Sequence, residues 1–374
     1  MRPVSLLEIP PAEMKSFRRK LLTWFAKRKR DLPWRRTCDP YLIWVSEIML
    51  QQTRVAAAIP YYERFTTKFP TVESLARAKT ETVLRYWAGL GYYSRARNMQ
   101  RAAKEIVSRH GGQFPRAQEQ ALSLPGIGRY TAAAVLSIAY EEPLAVLDGN
   151  VARVLARIGA VRGDLRAAPV WRSLEETAQG LLARQAPGDW NQAMMELGAT
   201  LCTPKSPRCG ECPVSGWCEA QKLGIAAELP EARRKKETVK VTLAAAVLMD
   251  PQGQTLLLRQ KGSEGTLFSH LWQFPAVEST GAAATDLARH LQKNFAIAAK
   301  RAATPLQTAR HAVTFRNIHI RPYLMRVERL PNIEGALVTE LSRLGDLPIS
   351  NLTRKIAQAA LTHSGKIRRT AKPS

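Results

Sequence analysis

Alanine and leucine recur at helical spacing through residues 15–225, and short turn signals separate the segments. Apolar positions three and four residues apart predict helices that bury one face. The dipeptides Phe69-Pro70, Gly111-Gly112 and Pro125-Gly126 are typical of turns between such helices. The pattern predicts an all-α first domain over residues 1–225, without an internal repeat.

From Val239 onward the pattern changes to strands. The segments VKVTLAAAVLM and QTLLLRQ predict two strands joined by a turn at 250–253, and AVTFRNIHIRPYLMRV is again strand-like. Residues 285–298, TDLARHLQKNFAIA, predict a helix. We therefore expect a multidomain protein. The helical domain is followed by a basic linker (226–240), an α+β domain (241–362) and a disordered basic tail (363–374).

The charge is large and evenly divided. The chain has 374 residues, with 56 Lys and Arg against 31 Asp and Glu, for a net charge of +25. Residues 1–225 carry +13 and residues 226–374 carry +12. Because both halves are basic, we expect both to face one extended polyanion, most simply nucleic acid. The competing interpretation is a generally basic, solvated surface.

Membrane and secretory classes are disfavoured. The longest apolar runs, such as residues 243–249, fall far short of the roughly 18 residues that a spanning helix needs. Glu8, Pro10 and Pro11 interrupt the region where a signal peptide needs its apolar stretch. We expect a cytoplasmic protein with no membrane partner.

Four of the five cysteines crowd into residues 202–218. Their spacing is C-x6-C-x2-C-x5-C, formed by Cys202, Cys209, Cys212 and Cys218. Four thiolates on short loops can hold zinc or an iron–sulfur cluster, and the spacing alone leaves both open. Cys38 lies far away in sequence and is expected to be a plain thiol.

A glycine-containing turn precedes an alanine-rich helix at residues 124–131, LPGIGRYT. Glycines allow the backbone to approach a phosphate, and a helix start presents free N–H groups to an anion. Pro125, Gly126 and Gly128 are therefore candidates for gripping a DNA backbone without reading its sequence. A simple turn between helices is the competing interpretation.

Two carboxylates stand out. Glu47 lies among apolar residues in a helix that Asp39 and Pro40 can start, and burial there would raise its pKa as an acid catalyst requires. Asp148 precedes the helix-like VARVLARIG and could simply cap it. Alternatively, the two act as a pair: an acid protonates a departing base while a carboxylate stabilises the sugar cation. That chemistry requires the target nucleotide to leave the duplex.

Together these features resemble the helix-hairpin-helix DNA glycosylases of the endonuclease III superfamily, and within it the adenine DNA glycosylases. The matching segments run in family order over about 200 residues: LPWR (32–35), VSEIMLQQTRV (45–55), GLGYYSRARN (89–98), LPGIGRYTA (124–132), LDGNVARVL (147–155), NQAMMELGA (191–199) and the cysteine cluster. The resemblance implies a 4Fe–4S cluster, and a double-stranded DNA substrate containing A:8-oxoguanine or A:G mispairs. We also expect a monomer.

The resemblance also implies roles for individual residues. Glu47 corresponds to the glutamate that protonates adenine, and Asp148 to the aspartate that stabilises the oxocarbenium-like sugar. Tyr130 and Asn150 correspond to residues that position these two groups. Gln52 and Tyr92 correspond to side chains that wedge into the duplex, and Arg35 and Gln192 correspond to residues that line the adenine pocket.

Tyr130 occupies the position at which the sister endonuclease III enzymes have a Schiff-base lysine, and residues 117–140 contain no lysine. A tyrosine cannot form a Schiff base, so we expect a monofunctional glycosylase. The alternatives are a bifunctional glycosylase that also cleaves the strand and a catalytically silent lesion-binding protein.

The second half resembles a Nudix-like domain but has no R-E-x-x-E-E helix; the equivalent stretch has only Glu278 and Asp286. Because a Nudix hydrolase needs that helix to hold its metal, we expect a recognition module without phosphohydrolase activity. The resemblance implies that Phe268, Ser269 and His270 probe the 8-oxoguanine.

Overall fold

The computed structural model describes residues 9–231, 238–259, 271–279, 281–297, 303–313 and 316–370. Packing divides the chain into two compact units. The first comprises Met1–Arg77 with Asn98–Arg234, and the second comprises Ala78–Arg97 with Lys235–Ser374. The second unit thus includes a helical stretch, residues 78–97, that the sequence pattern assigns to the first domain.

The first unit is helical, as predicted, and its described residues form no strand. Three single turns of 3-10 helix lie at Pro33–Arg35, Cys209–Glu211 and Ser215–Trp217. The α-helices up to residue 222 are α1 (Pro11–Arg28), α2 (Pro40–Leu50), α3 (Val55–Lys68), α4 (Val72–Arg77), α5 (Thr80–Trp87), α6 (Ser94–Arg109), α7 (Gln118–Ser123), α8 (Arg129–Tyr140), α9 (Gly149–Ile158), α10 (Ala168–Leu181), α11 (Pro187–Thr200) and α12 (Glu219–Lys222). Of these, α5 belongs to the second unit, and α6 begins in the second unit and ends in the first.

One apolar core joins α1, α8, α9, α10 and α11. In α1 the buried residues Phe17, Leu21 and Phe25 recur every four positions, which places them on one face of the helix. Phe17 packs edge-on against Trp217 with ring centroids 5.4 Å apart. This contact attaches α1 to the cysteine-containing loop.

The second unit adds an eight-stranded mixed sheet, so the predicted α+β architecture is confirmed. The central order is β3-β2-β1-β7-β5, with β4 on β1, β6 on β7 and β8 on β2. Its strands and helices from residue 239 onward are β1 (Val239–Met249), β2 (Gln254–Arg259), β3 (Trp272–Gln273), β4 (Ala276–Glu278), α13 (Ala283–Phe295), β5 (Thr304–Pro305), β6 (Ala309–Val313), β7 (Arg316–Arg326), β8 (Leu337–Glu340) and α14 (Asn351–Thr370); a 3-10 helix spans Leu341–Asp346.

Strand β1 is apolar on both faces because helices cover both faces of the sheet. It pairs in parallel with β7 over its full length, from Val239 opposite Arg316 to Met249 opposite Arg326. Ala244, Ala246 and Leu248 belong to the core under α13. The intervening residues Ala245 and Val247 belong to the core under α14. Parallel strands covered on both faces read as continuous apolar runs, which explains the segment LAAAVLM.

Three boundaries differ from the sequence prediction. The helix predicted at 285–298 ends at Phe295, because Ala296 adopts a left-handed conformation with φ of 54°. The strand-like segment 312–327 contains parts of two antiparallel strands, β6 and β7. Helix α14 continues past residue 363, where the composition predicts a disordered tail; its residues Leu352, Ile356 and Ala360 recur at helical spacing and pack into the core.

Within the described ranges, no helix combines the length and the apolarity needed to cross a bilayer.

Candidate active site

Glu47 lies in a run of buried side chains on α2. Every residue from Ile43 to Met49 is buried, and Glu47 itself is 5% exposed. The helix begins as predicted, because Asp39 Oδ1 accepts a hydrogen bond from the Tyr41 amide at 2.8 Å and Pro40 occupies the first position. Helix α2 packs against α8. The fold therefore carries this carboxyl into the interior, between helices.

Tyr130, in the first turn of α8, is the hydrogen-bond partner of Glu47. Its hydroxyl donates to Glu47 Oε2 at 2.6 Å and lies 3.3 Å from Met195 Sδ. Burial raises the pKa of the Glu47 carboxyl to about 7; the Tyr130 hydrogen bond lowers it, and the charge of Asp148 raises it further. A buried carboxyl of this kind holds a proton in a large fraction of molecules at neutral pH and can donate it.

Asp148 is both the N-cap of α9 and part of the cavity that contains Glu47. Its Oδ1 accepts from the amides of Asn150 at 2.9 Å and Val151 at 2.7 Å, and its Oδ2 accepts from Asn150 Nδ2 at 3.0 Å. These donors and the positive end of the helix stabilise a negative charge at this position. Capping and a role in a site are therefore compatible here, because the donors hold the carboxylate in one orientation.

One cavity of about 490 Å³ in the first unit collects most of the predicted site. It is also lined by Trp34, Met195 and Glu196. The seven predicted side chains that line it are Glu47, Tyr130, Asp148, Asn150, Gln52, Arg35 and Gln192.

Arg35 is held in a buried ion-pair network that the sequence does not reveal. Its Nη2 donates to Glu196 Oε2 at 2.8 Å, and the Arg30 side chain donates two bonds to the same carboxylate at 2.7 and 2.8 Å. Glu196 is 1% exposed. Burial raises the pKa of this carboxyl, but the hydrogen bonds from the two arginines outweigh that effect and hold the pKa below its usual value. The network fixes Arg35 at the cavity wall with its charge compensated.

Both predicted duplex wedges have strained backbones. Gln52 follows the end of α2 with φ of 57° and lines the cavity. Tyr92 belongs to the second unit, has φ of 45° and is 41% exposed. A side chain in the left-handed region is uncommon outside glycine, and such residues concentrate at functional positions. Each wedge candidate thus carries a structural signal that is independent of the resemblance.

The predicted hairpin joins α7 to α8. Leu124 and Ile127 are buried and anchor it, while Gly126 and Gly128 are exposed, and Pro125 is half-buried. Gly126 has φ of 79°, and a Cβ there would lie 2.8 Å from the Cβ of Asn98. Only glycine satisfies both constraints. The tip therefore presents bare backbone immediately before the start of α8.

The four predicted cluster ligands line a second cavity in the first unit. Burial raises the pKa of Cys212 to about 12, and the proximity of the other three cysteines adds to the rise. Arg157 is 1% exposed, and its Nη1 lies 3.2 Å from Cys202 Sγ. Among the described residues, no group of three or more ligating side chains surrounds a single-ion position. Four thiols around one cavity, with Cys218 buried and the other three partly buried, fit a polynuclear iron–sulfur cluster, whose positive iron would stabilise the thiolates.

Two arginines of α9 were not predicted from the sequence. Arg153 donates to Asn150 Oδ1 at 2.8 Å and to the carbonyl of Cys202 at 2.9 Å, so it joins the cap of α9 to the cysteine loop. Arg157 binds the carbonyls of Thr203 and Pro204 at 2.8 and 3.1 Å. The sequence does carry a signal for these contacts, since two arginines stand four residues apart in the apolar segment VARVLARI. Because an isolated buried arginine is unfavourable, arginines in such a segment indicate buried hydrogen-bond partners.

The predicted 8-oxoguanine contacts, Phe268, Ser269 and His270, lie outside the described residues.

Comparison with known proteins identifies the family of the chain. Residues 45–179 match the HhH-GPD superfamily of base excision DNA repair proteins, and residues 202–218 match the iron-sulfur binding domain of endonuclease III. The chain is similar to the adenine DNA glycosylase of Homo sapiens, at 40% identity over 71% of this chain and 58% of the relative. It is also similar to the adenine DNA glycosylase of Buchnera aphidicola subsp. Schizaphis graminum, at 30% identity over 91% of this chain and 98% of the relative.

Among solved structures, a thermostable thymine-DNA glycosylase is 30% identical with a TM-score of 0.52, and the match covers 57% of this chain and 98% of that one. The chain spans only about half the length of the mammalian and plant adenine DNA glycosylases that it matches. The match over residues 202–218 decides between the two metals that the spacing left open: the loop that contains the four cysteines binds an iron–sulfur cluster.

Replacing Cys212 by alanine removes one cluster ligand. We expect purified Cys212→Ala to lose most of its bound iron and its visible sulfur-to-iron absorbance, because alanine cannot ligate metal. Iron and sulfide analysis with the absorbance spectrum measures this. Cys38→Ala is the matched control, since Cys38 is exposed and outside the cluster loop, and it should retain the full signal. Equal iron content in both variants, or zinc in place of iron, would contradict the assignment.

Proposed function

The chain belongs to the adenine DNA glycosylase family, and on this premise we propose that it is a monofunctional DNA glycosylase. Its reaction is hydrolysis of the N-glycosidic bond of adenine mispaired with 8-oxoguanine, or with guanine, in double-stranded DNA. The observation that carries the proposal is the buried Glu47–Tyr130 hydrogen bond in the same cavity as Asp148.

The cavity is the proposed adenine pocket. Chemistry on a base of duplex DNA requires that base to leave the stack, and a pocket of about 490 Å³ accommodates a purine. Trp34 and Met195 supply apolar walls, and Arg35 and Gln192 supply polar groups. Gln52, which lines the same cavity, is one of the two proposed duplex wedges.

Glu47 is the proposed general acid. Adenine leaves as a poor anion unless a ring nitrogen is protonated, and a carboxyl with a pKa of about 7 can supply that proton at neutral pH. Once ionised, the same carboxylate can accept a proton from the attacking water. The Tyr130 hydroxyl orients the carboxyl by donating to Oε2.

Asp148 is the proposed stabiliser of the sugar cation. Loss of the base leaves positive charge on the sugar, and a fixed carboxylate nearby lowers the energy of that state. The three hydrogen bonds donated to Asp148 hold its carboxylate group in one orientation. Asn150 supplies two of those donors, which fits its predicted positioning role.

The absence of a lysine in residues 117–140 favours a monofunctional reaction over a bifunctional one. Strand cleavage by a Schiff base needs an amine at the sugar, and Tyr130 has a phenol in that position. The glycine hairpin and the net charge of +25 fit an enzyme that binds a duplex backbone. The second unit is the proposed Nudix-like recognition module for the opposite base.

Asp148→Asn tests the proposed chemistry. We expect wild-type protein to release adenine from an A:8-oxoguanine duplex, and the variant to be slower by about 100-fold or more while still binding, because the amide cannot stabilise a cation. Single-turnover cleavage after alkali treatment measures the rate. Asp164→Asn is the matched control, since Asp164 holds an exposed turn by accepting from the Arg166 amide.

The same assay separates the alternatives. A covalent adduct trapped by borohydride would favour the bifunctional enzyme. Tight binding by wild-type protein without any adenine release would favour the lesion-binding protein.

The pH profile tests Glu47 as the acid. With a carboxyl pKa of about 7, the protonated form predominates below that value, so the single-turnover rate should be level at lower pH and fall as pH rises through 7. Tyr130→Phe removes a hydrogen bond that lowers this pKa, so the fall should move to higher pH. A profile that rises with pH, or the same midpoint in both proteins, would contradict the assignment.

Changing Ser269 and His270 together to alanine tests recognition of the opposite base. We expect the preference for A:8-oxoguanine over A:G to fall, while the A:G rate changes little, because only contacts to the oxidised base are removed. The ratio of the two single-turnover rates measures this. An unchanged ratio would reject the predicted probing role.

A further inference from the structure

The loop that carries Tyr92 is held in an unusual conformation by its own neighbours. Gly91 has φ of 71° and Tyr92 has φ of 45°, so two consecutive residues are left-handed. Trp87 Nε1 donates to the Gly91 carbonyl at 3.0 Å, and Arg95 Nη2 donates to the Leu90 carbonyl at 3.3 Å. The Arg95 guanidinium also lies 5.6 Å from the centre of the Tyr92 ring.

The same loop is attached to the start of α14 in the second unit. The Tyr93 hydroxyl donates to the Ile349 carbonyl at 2.9 Å, and Asn351 Nδ2 donates to the Gly89 carbonyl at 3.3 Å. These bonds join positions that are 256 and 262 residues apart in sequence. Gly89 and Tyr93 lie on either side of Tyr92 in sequence, and both are bonded to the segment 349–351.

The segment that makes these bonds is itself held by burial and by hydrogen bonds. Ile349 and Ser350 are 1% and 2% exposed. Ser350 Oγ accepts from the Thr353 amide at 3.0 Å, which caps the start of α14. The Trp272 amide donates to the Pro348 carbonyl at 3.0 Å, so the segment is also joined to β3. An anchor of this kind can hold a strained loop, since the strain persists only where surrounding structure over-determines it.

We propose that Tyr93 is a positioning residue for the reaction: its hydroxyl, bound to the Ile349 carbonyl, holds Tyr92 in the conformation that enters the duplex. This inference rests on the proposed function, which assigns Tyr92 as a wedge. The side chain that unstacks the DNA is thereby set by the sheet-containing unit. In sequence, Leu271 and Trp272 directly follow the predicted base-probing residues. Because the Trp272 amide binds the Pro348 carbonyl, β3 and the loop that carries Tyr92 are attached to the same segment of the chain, residues 348–351.

Tyr93→Phe tests the proposal by removing the hydroxyl and leaving the ring. Tyr140→Phe is the matched control, because the Tyr140 hydroxyl makes the same kind of bond, at 2.8 Å, to the Phe114 carbonyl in the first unit. Asn351→Ala is a second variant that removes the other bond to the loop. Circular dichroism first establishes that all three fold.

Two measurements are made on each protein. Hydrogen exchange of the free protein reports the order of residues 87–95. The fluorescence of 2-aminopurine, placed beside the mispair in a duplex whose target is 2′-fluoro-deoxyadenosine, reports unstacking by the bound protein without base release.

We expect Tyr93→Phe to speed exchange of residues 87–95 by about fivefold, the effect of losing one typical hydrogen bond. It should also lower the 2-aminopurine signal at saturating protein, with Asn351→Ala in the same direction and Tyr140→Phe like wild type. Unchanged exchange would overturn the anchoring, and faster exchange with unchanged fluorescence would overturn the positioning role. Because neither readout needs adenine release, an inactive wild-type protein would reject the proposed function without deciding this inference.

Discussion

The burial of the Glu47 carboxyl against the Tyr130 hydroxyl is the constraint on which the candidate site depends. A carboxylate in an apolar interior is unfavourable, so the group must be protonated or hydrogen-bonded. At 2.6 Å the tyrosine supplies the bond, and burial raises the carboxyl pKa to about 7. Packing of α2 against α8 brings the two side chains together. Burial of this carboxyl costs folding free energy, and it produces a group that can exchange a proton near neutral pH.

The same logic of compensated burial extends to the rest of the first unit. Glu196 is buried with two arginines, and Arg153 and Arg157 are buried against carbonyls of the cysteine loop. Helix α9 is the common element, because its N-terminus holds Asp148 and its buried face binds the loop. The iron–sulfur loop and the cap that holds Asp148 are therefore joined by hydrogen bonds through Asn150 and Arg153.

The sequence predicted the helical half and the sheet-containing half, and seven of the candidate site residues that it named line one cavity. It did so because these features are local: a cap at Asp39, a glycine with positive φ at Gly126 and an apolar run in β1 are each readable within a few residues. The buried partners of Arg35 and Cys202, Glu196 and Arg157, were missed, because they come from distant positions in the chain. The end of α13 at the left-handed Ala296 and the continuation of α14 past residue 363 were also missed.

By itself, the sequence determined the chemical inventory: four cysteines in one loop, two carboxylates in helical context, a tyrosine where a lysine would change the reaction, and a charge of +25. Which of these groups meet is set by the packing of helices and strands across the fold. It gave Glu47 its pKa, gave Asp148 its three donors and joined the Tyr92 loop to Ile349 rather than to its sequence neighbours. The physical reason is that pKa values, hydrogen-bond partners and loop conformation depend on distances across the fold, which local sequence does not encode.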